Sequence, residues 1–216
     1  YQKGLQNRFL VIPGYPIAYW VSDPWVKAYE HATLLGAIAQ PRQGLATGSN
    51  ARFLRCWWEP SSDSIGFGCG GTEEAKRSGR KWFPYNKGGE YRKWYGNNTH
   101  VVNWENDGKE IKSFTDDSGN LRSRPQNTQH YFHPSLTWSF VSSSSFAVRC
   151  CERGFVFDIG GSSVFPPANL FKLLAGFLCS KVAYSLMQLT NPTLNFQVGN
   201  VASLPLPLAK LDEVKS

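Results

Sequence analysis

The stretch LTWSFVSSSSFAVRCCERGFVFDI, residues 136–159, decides the fold class. It contains short segments rich in aromatic and β-branched residues, and such segments predict strands. They lie at 136–141, 146–149 and 155–159, and similar segments precede them at 35–43, 53–59 and 100–104. The tetrapeptide 151–154 ends in Gly154 and predicts a hairpin between the last two strands. Short strands joined by turns are typical of a mixed or antiparallel sheet.

Helical patterns flank this β-rich region on both sides. Upstream, Ser22-Asp23-Pro24 predicts a helix start, because a capping side chain precedes a proline in the first turn. This helix is expected to reach about Thr33. Downstream, apolar residues recur at helical spacing over 170–189 and predict one long helix that ends before Asn191-Pro192. The sequence therefore indicates an α+β fold: a mixed or antiparallel β-sheet domain with an N-terminal helix and one long C-terminal helix.

The length of the chain bounds its organisation. Its 216 residues and 24.2 kDa are enough for one large domain or two small ones. We expect a helical lead-in at 1–34, one domain at 35–208 that includes the helix 170–189, and a tail at 209–216. Because the chain opens on Tyr1 and its only methionine is Met187, we expect it to be a fragment of a larger protein.

The charge balance favours a polyanionic partner. The formal net charge is +7 and the sequence pI is about 9.2, and a basic surface attracts nucleic acids without identifying one. The five cysteines form no CxxC pair and the four histidines complete no zinc spacing, so we expect no metal site. Reduced thiols are typical of a cytoplasmic protein. The longest apolar run, 170–189, contains two lysines, so no membrane partner is expected.

A second stretch, KWFPYNKGGEYRKWYGNN at residues 81–98, interleaves aromatic rings with positive charges. Aromatic rings stack on bases or sugars, and Lys and Arg side chains hold phosphates. We therefore expect an exposed, ligand-facing loop system here. The alternative is a half-buried hairpin whose charges are only solvated, and this stretch alone leaves both open.

No catalytic residues are expected in this chain. The sequence lacks a dinucleotide-binding glycine fingerprint, a P-loop, a Gly-x-Ser-x-Gly elbow and an HExxH motif. Asn191-Pro-Thr-Leu194 lacks the second proline and the aromatic residue with which amino-methyltransferases hold a flipped base. We therefore expect a binding function, with no cofactor bound by the chain itself.

Several linked blocks resemble a known family. RQGLATGSNARFLRCWWE at 42–59 is similar to the opening of a target recognition domain of type IIG-like adenine-specific DNA methyltransferases. Further blocks are similar to the PglX methyltransferases of type 1 BREX phage-exclusion systems; they lie at 81–98, 101–108, 123–127, 136–144, 154–163 and 191–199. The resemblance covers roughly residues 1–208 and is to the C-terminal specificity region of that family rather than to its catalytic half.

The resemblance implies a bacterial, cytoplasmic, restriction-modification-like system of phage defence. In that family, S-adenosyl-L-methionine supplies a methyl group to adenine N6 in double-stranded DNA. The cofactor and the catalytic residues would lie upstream of this chain, in a methyltransferase domain that we expect as its partner. Other phage-defence proteins are further expected partners. The role implied for this chain itself is recognition of the DNA target sequence.

Two groups of side chains are candidates for these DNA contacts. Arg, Asn and Gln pair with base edges in the major groove, so base reading is predicted for residues in or beside the 44–51 loop: Arg42, Gln43, Thr47, Ser49, Asn50 and Arg52. Phosphate contact or stacking is predicted for Lys81, Trp82, Tyr85, Lys87, Arg92, Lys93, Tyr95, Arg122 and Arg124. For each charged candidate, the alternative is an ordinary solvated surface charge.

Two other classes of protein would use the same residue types. A single-stranded nucleic-acid binder and a carbohydrate-binding module both present exposed aromatic rings. The carbohydrate module does not require a net charge of +7, and such modules are usually secreted, where free thiols are unfavourable. Comparing binding to duplexes, to single strands and to a glycan separates the three classes.

Overall fold

The computed structural model describes residues 10–16, 20–142 and 145–206, and it confirms the α+β class. The helices are α1 (Asp23–Glu30), α2 (Leu35–Ile38), α3 (Asn50–Phe53), α4 (Thr72–Arg77), α5 (Glu105–Lys112), α6 (Phe171–Leu178), α7 (Lys181–Thr190) and α8 (Val198–Ala202). The strands are β1 (Thr33–Leu34), β2 (Leu54–Cys56), β3 (Trp82–Asn86), β4 (His100–Asn103), β5 (Ser135–Thr137), β6 (Arg149–Cys151), β7 (Val156–Phe157), β8 (Ser163–Val164) and β9 (Pro205–Leu206). The expected tail at 209–216 lies outside the described residues.

The main sheet has the strand order β2-β4-β3-β7, with β3 in its interior. β4 is antiparallel to β2 and β3, whereas β7 runs parallel to β3. β3 contains Pro84, which cannot donate to a neighbouring strand. The carbonyls of Trp82 and Asn86 accept bonds on the β7 side of β3, so Pro84 also faces that side. β7 pairs only with Tyr85 and Asn86. Pro84 therefore lies outside the β3–β7 pairing, and its missing N–H removes no hydrogen bond from it.

Two further sheets and two large apolar cores complete the architecture. One sheet has the order β6-β5-β8, and the other pairs β1 with β9. The larger core lies between β5 and the C-terminal helices and includes Leu136, Trp138, Leu178 and Met187. The second core lies in the main sheet and includes Phe83, Val102, Trp104 and Phe157. Of the residues predicted to contact DNA, Trp82 and Tyr85 lie in the main sheet, and Lys87 follows β3 directly.

The strand predicted at 35–43 is wrong. Residues Leu35–Ile38 form α2, and Arg42 makes only an isolated bridge with Ser163. α2 is fixed by tertiary contacts, because the Leu35 N–H donates to the Leu204 carbonyl at 2.8 Å. A short apolar run does not distinguish a buried strand from a buried helical turn. The strand predicted at 53–59 is confirmed only over β2.

The hairpin predicted at 151–154 is also wrong. β6 pairs with β5, whereas β7 pairs with β3 in the other sheet. The connecting residues cross between the sheets, where the Gly154 N–H donates to the Phe132 carbonyl at 2.9 Å. The segments before and after the turn therefore belong to different layers of the molecule.

The helices agree with the sequence in position but not in length. α1 begins at Asp23 with a proline in its first turn, as predicted, but it ends at Glu30. The long C-terminal helix is two helices, α6 and α7, bent by 67°. Among the described residues, no single helix is long and apolar enough to cross a membrane, and only this bent pair reaches that length and composition when counted together.

Candidate nucleic-acid interface

The 44–51 loop is held by backbone hydrogen bonds to two distant segments. The Leu45 N–H donates to the Phe157 carbonyl at 2.8 Å, and Ala46 exchanges two backbone bonds with Arg124 at 3.1 and 2.8 Å. Gly48 has a φ of +73°, and a Cβ there would lie 2.7 Å from the Arg122 backbone. The loop therefore lies against the end of β7 on one side and against 122–124 on the other.

A polar cleft of about 320 Å³ opens beside this loop. It is lined by residues 46–50, by Lys87 just after β3, and by Asp158 and Ile159 just after β7. Three of the predicted base-reading residues thus meet one predicted phosphate contact: Thr47, Ser49 and Asn50 lie around the same space as Lys87. We call this space the Lys87 cleft.

Asp158 organises the Lys87 cleft, and it was absent from the candidates drawn from the sequence. The residue is 5% exposed, and its carboxylate accepts hydrogen bonds from Lys87 Nζ (2.7 Å), the Tyr85 hydroxyl (2.6 Å) and the Gly160 N–H (2.6 Å). Burial, followed by the charge of Asp158, raises the pKa of Tyr85 well above its ordinary value. The sequence did contain a signal for Asp158: it is an acidic residue at the end of an apolar strand. A carboxylate buried there needs a hydrogen-bonding or charged partner.

Asn50 has an exposed side chain that Thr47 orients. It is exposed at the first turn of α3, and its Oδ1 accepts a hydrogen bond from the buried Thr47 hydroxyl at 2.7 Å. An amide oxygen has two lone pairs, so one remains after Thr47 has bonded. The side chain is therefore oriented while it keeps the acceptor and the donors that pair with an adenine edge.

Arg52 is less available than Asn50. Its guanidinium contacts Glu110 at 2.9 and 2.8 Å and lies 5.0 Å from the centre of the Phe114 ring. Arg122 lies against the same ring at 5.4 Å. Both side chains are exposed, as is Arg124, so together they form a basic edge next to the loop.

Arg42 and Gln43 lie away from the residues that line the Lys87 cleft. The Arg42 guanidinium bonds Gln40, and its Nε is buried with no partner within the described part of the chain. The Gln43 carbonyl accepts a bond from Asn127 Nδ2 at 2.9 Å. The structure therefore separates these two candidates from Thr47, Ser49 and Asn50.

The stretch 81–98 divides into a buried strand and an exposed segment. Trp82 and Tyr85 lie in β3 and are 9% and 0% exposed, so the expectation of an exposed loop is wrong for them. The physical reason is that β3 has neighbours on both edges and an apolar core against it. Lys81 is exposed, but it precedes β3 and lies at the opposite end of the strand from Lys87.

Residues 91–95 form the exposed segment, which we call the basic–aromatic segment. Arg92 and Lys93 are exposed, and the Tyr95 ring is 72% exposed. Trp94 attaches the segment to β6, because its N–H donates to the Val148 carbonyl at 3.0 Å and its carbonyl accepts from the Cys150 N–H at 2.9 Å. The predicted exposure is thus confirmed for this half of the stretch.

Titratable groups around the interface do not assemble a metal centre. Across the described ranges, no three His, Cys, Asp or Glu side chains come together as a metal ion requires. All five cysteines carry free thiols. Burial, followed by the charge of Lys87, lowers the pKa of His100, so the neutral imidazole is favoured beside the Lys87 cleft.

Comparison with known proteins places the chain among methyltransferase sequences. No family model matches it. Over 204 residues, 93% of its length, it is 40% identical to the adenine-specific methyltransferase PglX of Lacticaseibacillus casei (strain Zhang). Over 211 residues it is 38% identical to the adenine-specific methyltransferase BrxX of Escherichia coli O9:H4 (strain HS). The chain spans only 17% and 16% of these two relatives. The resemblance expected from the sequence blocks is confirmed.

Proposed function

We propose, on the premise that this chain is homologous to a segment of the PglX-type adenine-specific methyltransferases, that it recognises the target sequence of double-stranded DNA. It would hold the duplex in place while a methyltransferase domain elsewhere in the whole protein modifies adenine N6 with S-adenosyl-L-methionine, as part of phage defence. In this division of labour, the chain supplies sequence readout and no chemistry of its own.

The observation that carries the proposal is the meeting of two kinds of side chain at the Lys87 cleft. Hydroxyl and amide groups of the 46–50 loop line the same space as Lys87, and the basic edge of Arg52, Arg122 and Arg124 lies beside it. Protein–DNA interfaces combine base-edge contacts, which carry sequence information, with phosphate contacts, which set register. Loops on a rigid sheet are the usual carriers of such contacts.

Asn50 is the strongest candidate for base reading. Thr47 orients its amide, and paired hydrogen bonds from Asn to adenine are a common form of major-groove readout. Arg52 would first have to leave Glu110, but the pair is exposed, with side chains 53% and 44% accessible. Exposed ion pairs contribute only about 0–1 kcal/mol, so DNA can compete for this arginine.

The basic–aromatic segment is the proposed second contact. Lys93 Nζ lies 5.4 Å from the centre of the Trp94 ring, and the Tyr95 ring is open to solvent. Such groups contact the sugar–phosphate backbone without reading sequence. Lys87 and Arg92 are five residues apart, so a chain length of at most about 18 Å joins the cleft to this segment.

Duplex binding measured by fluorescence anisotropy tests the proposal. If five to six basic side chains neutralise phosphates, the log–log dependence of affinity on salt concentration should have a slope of about −5. Single strands of the same length should bind less tightly than the duplex. A salt-independent affinity, or tighter binding to a neutral glycan than to DNA, would contradict the proposal and favour a carbohydrate-binding module.

A further inference from the structure

Arg149, the first residue of β6, is a buried cation with almost no partners. The residue is 2% exposed. Its guanidinium makes one hydrogen bond in the described structure, from Nη1 to Ser139 Oγ at 3.3 Å, and its Nε has no partner. A guanidinium carries five N–H donors, so most of this donor capacity is unused inside the protein.

The positive charge of Arg149 is also uncompensated. Among the described residues, no carboxylate lies within ion-pair distance of it. The neighbouring thiol of Cys151 does not supply a negative charge, because burial raises its pKa to about 11. A buried charge without a counter-charge is strongly unfavourable, and groups in such perturbed environments cluster at functional sites.

A small pocket of mixed polarity lies beside Arg149. Tyr91, Arg92, Ser139 and Ser145 line it together with Arg149, and Phe146 and Ala147 form its apolar part. Its volume of about 10 Å³ corresponds to roughly one water-sized sphere. A whole phosphate group or a nucleotide is too large to enter, whereas a single oxygen atom is not.

The basic–aromatic segment forms the mouth of this pocket. The backbone bonds of Trp94 with Val148 and Cys150 flank Arg149 on both sides. This pairing fixes Arg92 next to the pocket that Arg149 lines. A buried arginine and an exposed arginine thus line the same pocket, together with serine side chains.

We propose that this pocket binds one phosphodiester of the DNA backbone: a non-bridging oxygen enters to meet Arg149, and Arg92 holds the phosphate from outside. The inference rests on the proposed function and adds to it a phosphate site that is built into the core. Arg binds phosphate well because its planar guanidinium presents several N–H donors to the phosphate oxygens. Two guanidinium groups would supply such donors to one phosphate from two sides. Because the phosphate is the same in every sequence, the site sets register and reads no base.

The first test compares Arg149→Met with the unchanged chain in duplex binding at several salt concentrations. Methionine replaces the volume without a charge, so the fold should persist, as circular dichroism and thermal unfolding will verify. Affinity should fall on the order of ten- to a hundredfold, and the salt slope should shrink by about 0.9. Lys27→Met removes the same charge from α1 and should leave the slope near its original value.

The second test asks whether Arg149 and Arg92 share one phosphate. The double variant Arg92→Ala/Arg149→Met should lose only about 0.9 in slope in total, because a single phosphate is lost. Combining Arg149→Met with Arg124→Ala should lose about 1.8, since two different phosphates are involved. Additive losses for the Arg92 pair, or no loss for Arg149→Met, would overturn the inference. Absence of duplex binding by the unchanged chain would instead refute the proposed function.

A third measurement does not depend on the folding of a variant. The Nε–H resonance of Arg149 in the unchanged chain, assigned through the backbone, should shift when a short duplex is added. Inorganic phosphate at the same concentration should leave the resonance in place. An equal shift with inorganic phosphate reveals a site for free anions, and an unmoved resonance in the DNA complex shows that the guanidinium is structural; either result overturns the inference.

Discussion

Gly48 determines how closely the 44–51 loop approaches the 122–124 segment. Its φ of +73° lies in the left-handed region, and a Cβ would meet the Arg122 carbonyl carbon and oxygen at 2.7 Å. A side chain at this position would therefore push the 44–51 loop away from the 122–124 segment. The position of the loop that lines the cleft therefore requires a residue without a side chain at position 48.

Gly48→Ala should destabilise the protein and weaken duplex binding. A left-handed alanine costs about 1–2 kcal/mol, and the contact with Arg122 should add about 1–3 kcal/mol. Gly119→Ala is the matched control, because Gly119 has a φ of +83° and nothing within 4 Å of the added carbon. Urea denaturation measures both variants. Equal losses of stability would show that the loop moves freely and that the close approach is unimportant.

Tyr85 and Asp158 show what the sequence could not reveal at the scale of single residues. The aromatic and basic composition of 81–98 predicted ligand contact, yet the Tyr85 hydroxyl turns inward to a carboxylate 73 residues away. Pairing over that separation depends on which strands become neighbours. Composition identified Asn50, Thr47 and Lys87 as polar candidates, but it could not identify the buried carboxylate that holds Lys87.

Tyr85→Phe should remove a hydrogen bond to a charged group and cost about 1.5–3 kcal/mol near neutral pH. Because the pKa of Tyr85 is raised above its ordinary value of 10.0, folding favours the protonated phenol. This contribution is complete below pH 10 and is lost as the pH rises above it. Denaturation at several pH values should show the gap between the original chain and the variant narrowing above pH 10. A stability difference that widens above pH 10 would exclude the Tyr85–Asp158 hydrogen bond as its cause. Tyr91→Phe, at an exposed tyrosine, serves as the control.

At the scale of elements, apolar patterns located the C-terminal helices but concealed the break between them. The apolar face continues through 170–189, so periodicity alone predicts one helix. Ser180 ends the pattern in the structure, because its backbone is extended and its hydroxyl accepts a bond from the Ala183 N–H at 3.1 Å. The same limitation affected the predicted hairpin, since strand patterns do not say which sheet a strand joins.

Ser180→Ala should lower stability by about 1 kcal/mol, the usual effect of removing an N-cap. For a protein of this size, that change lowers Tm by about 2–4 °C. Ser180→Asp keeps an oxygen acceptor at the cap and should restore most of the loss. Calorimetry measures all three chains. If Ser180→Ala instead raised both Tm and helical circular dichroism, α6 and α7 would be merging into one helix, and the cap would not cause the bend.

At the scale of the whole molecule, the candidate interface is assembled from four separate parts of the chain. Isolated bridges join Leu45 to Asp158 and Ala46 to Arg124, and Asp158 in turn binds Lys87. The 46–50 loop, Lys87, 122–124 and 158–159 are the four parts. None of these pairings follows from local sequence. The family resemblance was visible without them because it depends on blocks of residues, whereas the interface depends on how the sheets place those blocks.

A pair of substitutions should distinguish residues that read the base sequence from residues that only position the DNA. Asn50→Ala should cost about 1–3 kcal/mol on the cognate duplex alone and relax the methylated motif at one position, because the paired bonds to one base are lost. Arg124→Ala should weaken binding to all duplexes alike and reduce the salt slope by about 0.9. Arg124 suits this comparison better than Lys87, whose removal would also leave Asp158 without its ion pair.

Sequencing of methylated adenines in cells that carry the whole protein measures the motif, and anisotropy on matched and mismatched duplexes measures the affinity. If Asn50→Ala methylates the unchanged motif at the unchanged rate, the 44–51 loop is scaffold. Base reading would then have to come from 85–98 or 122–130. Arg124→Ala distinguishes that outcome from a general loss of binding, because a phosphate contact weakens every duplex equally.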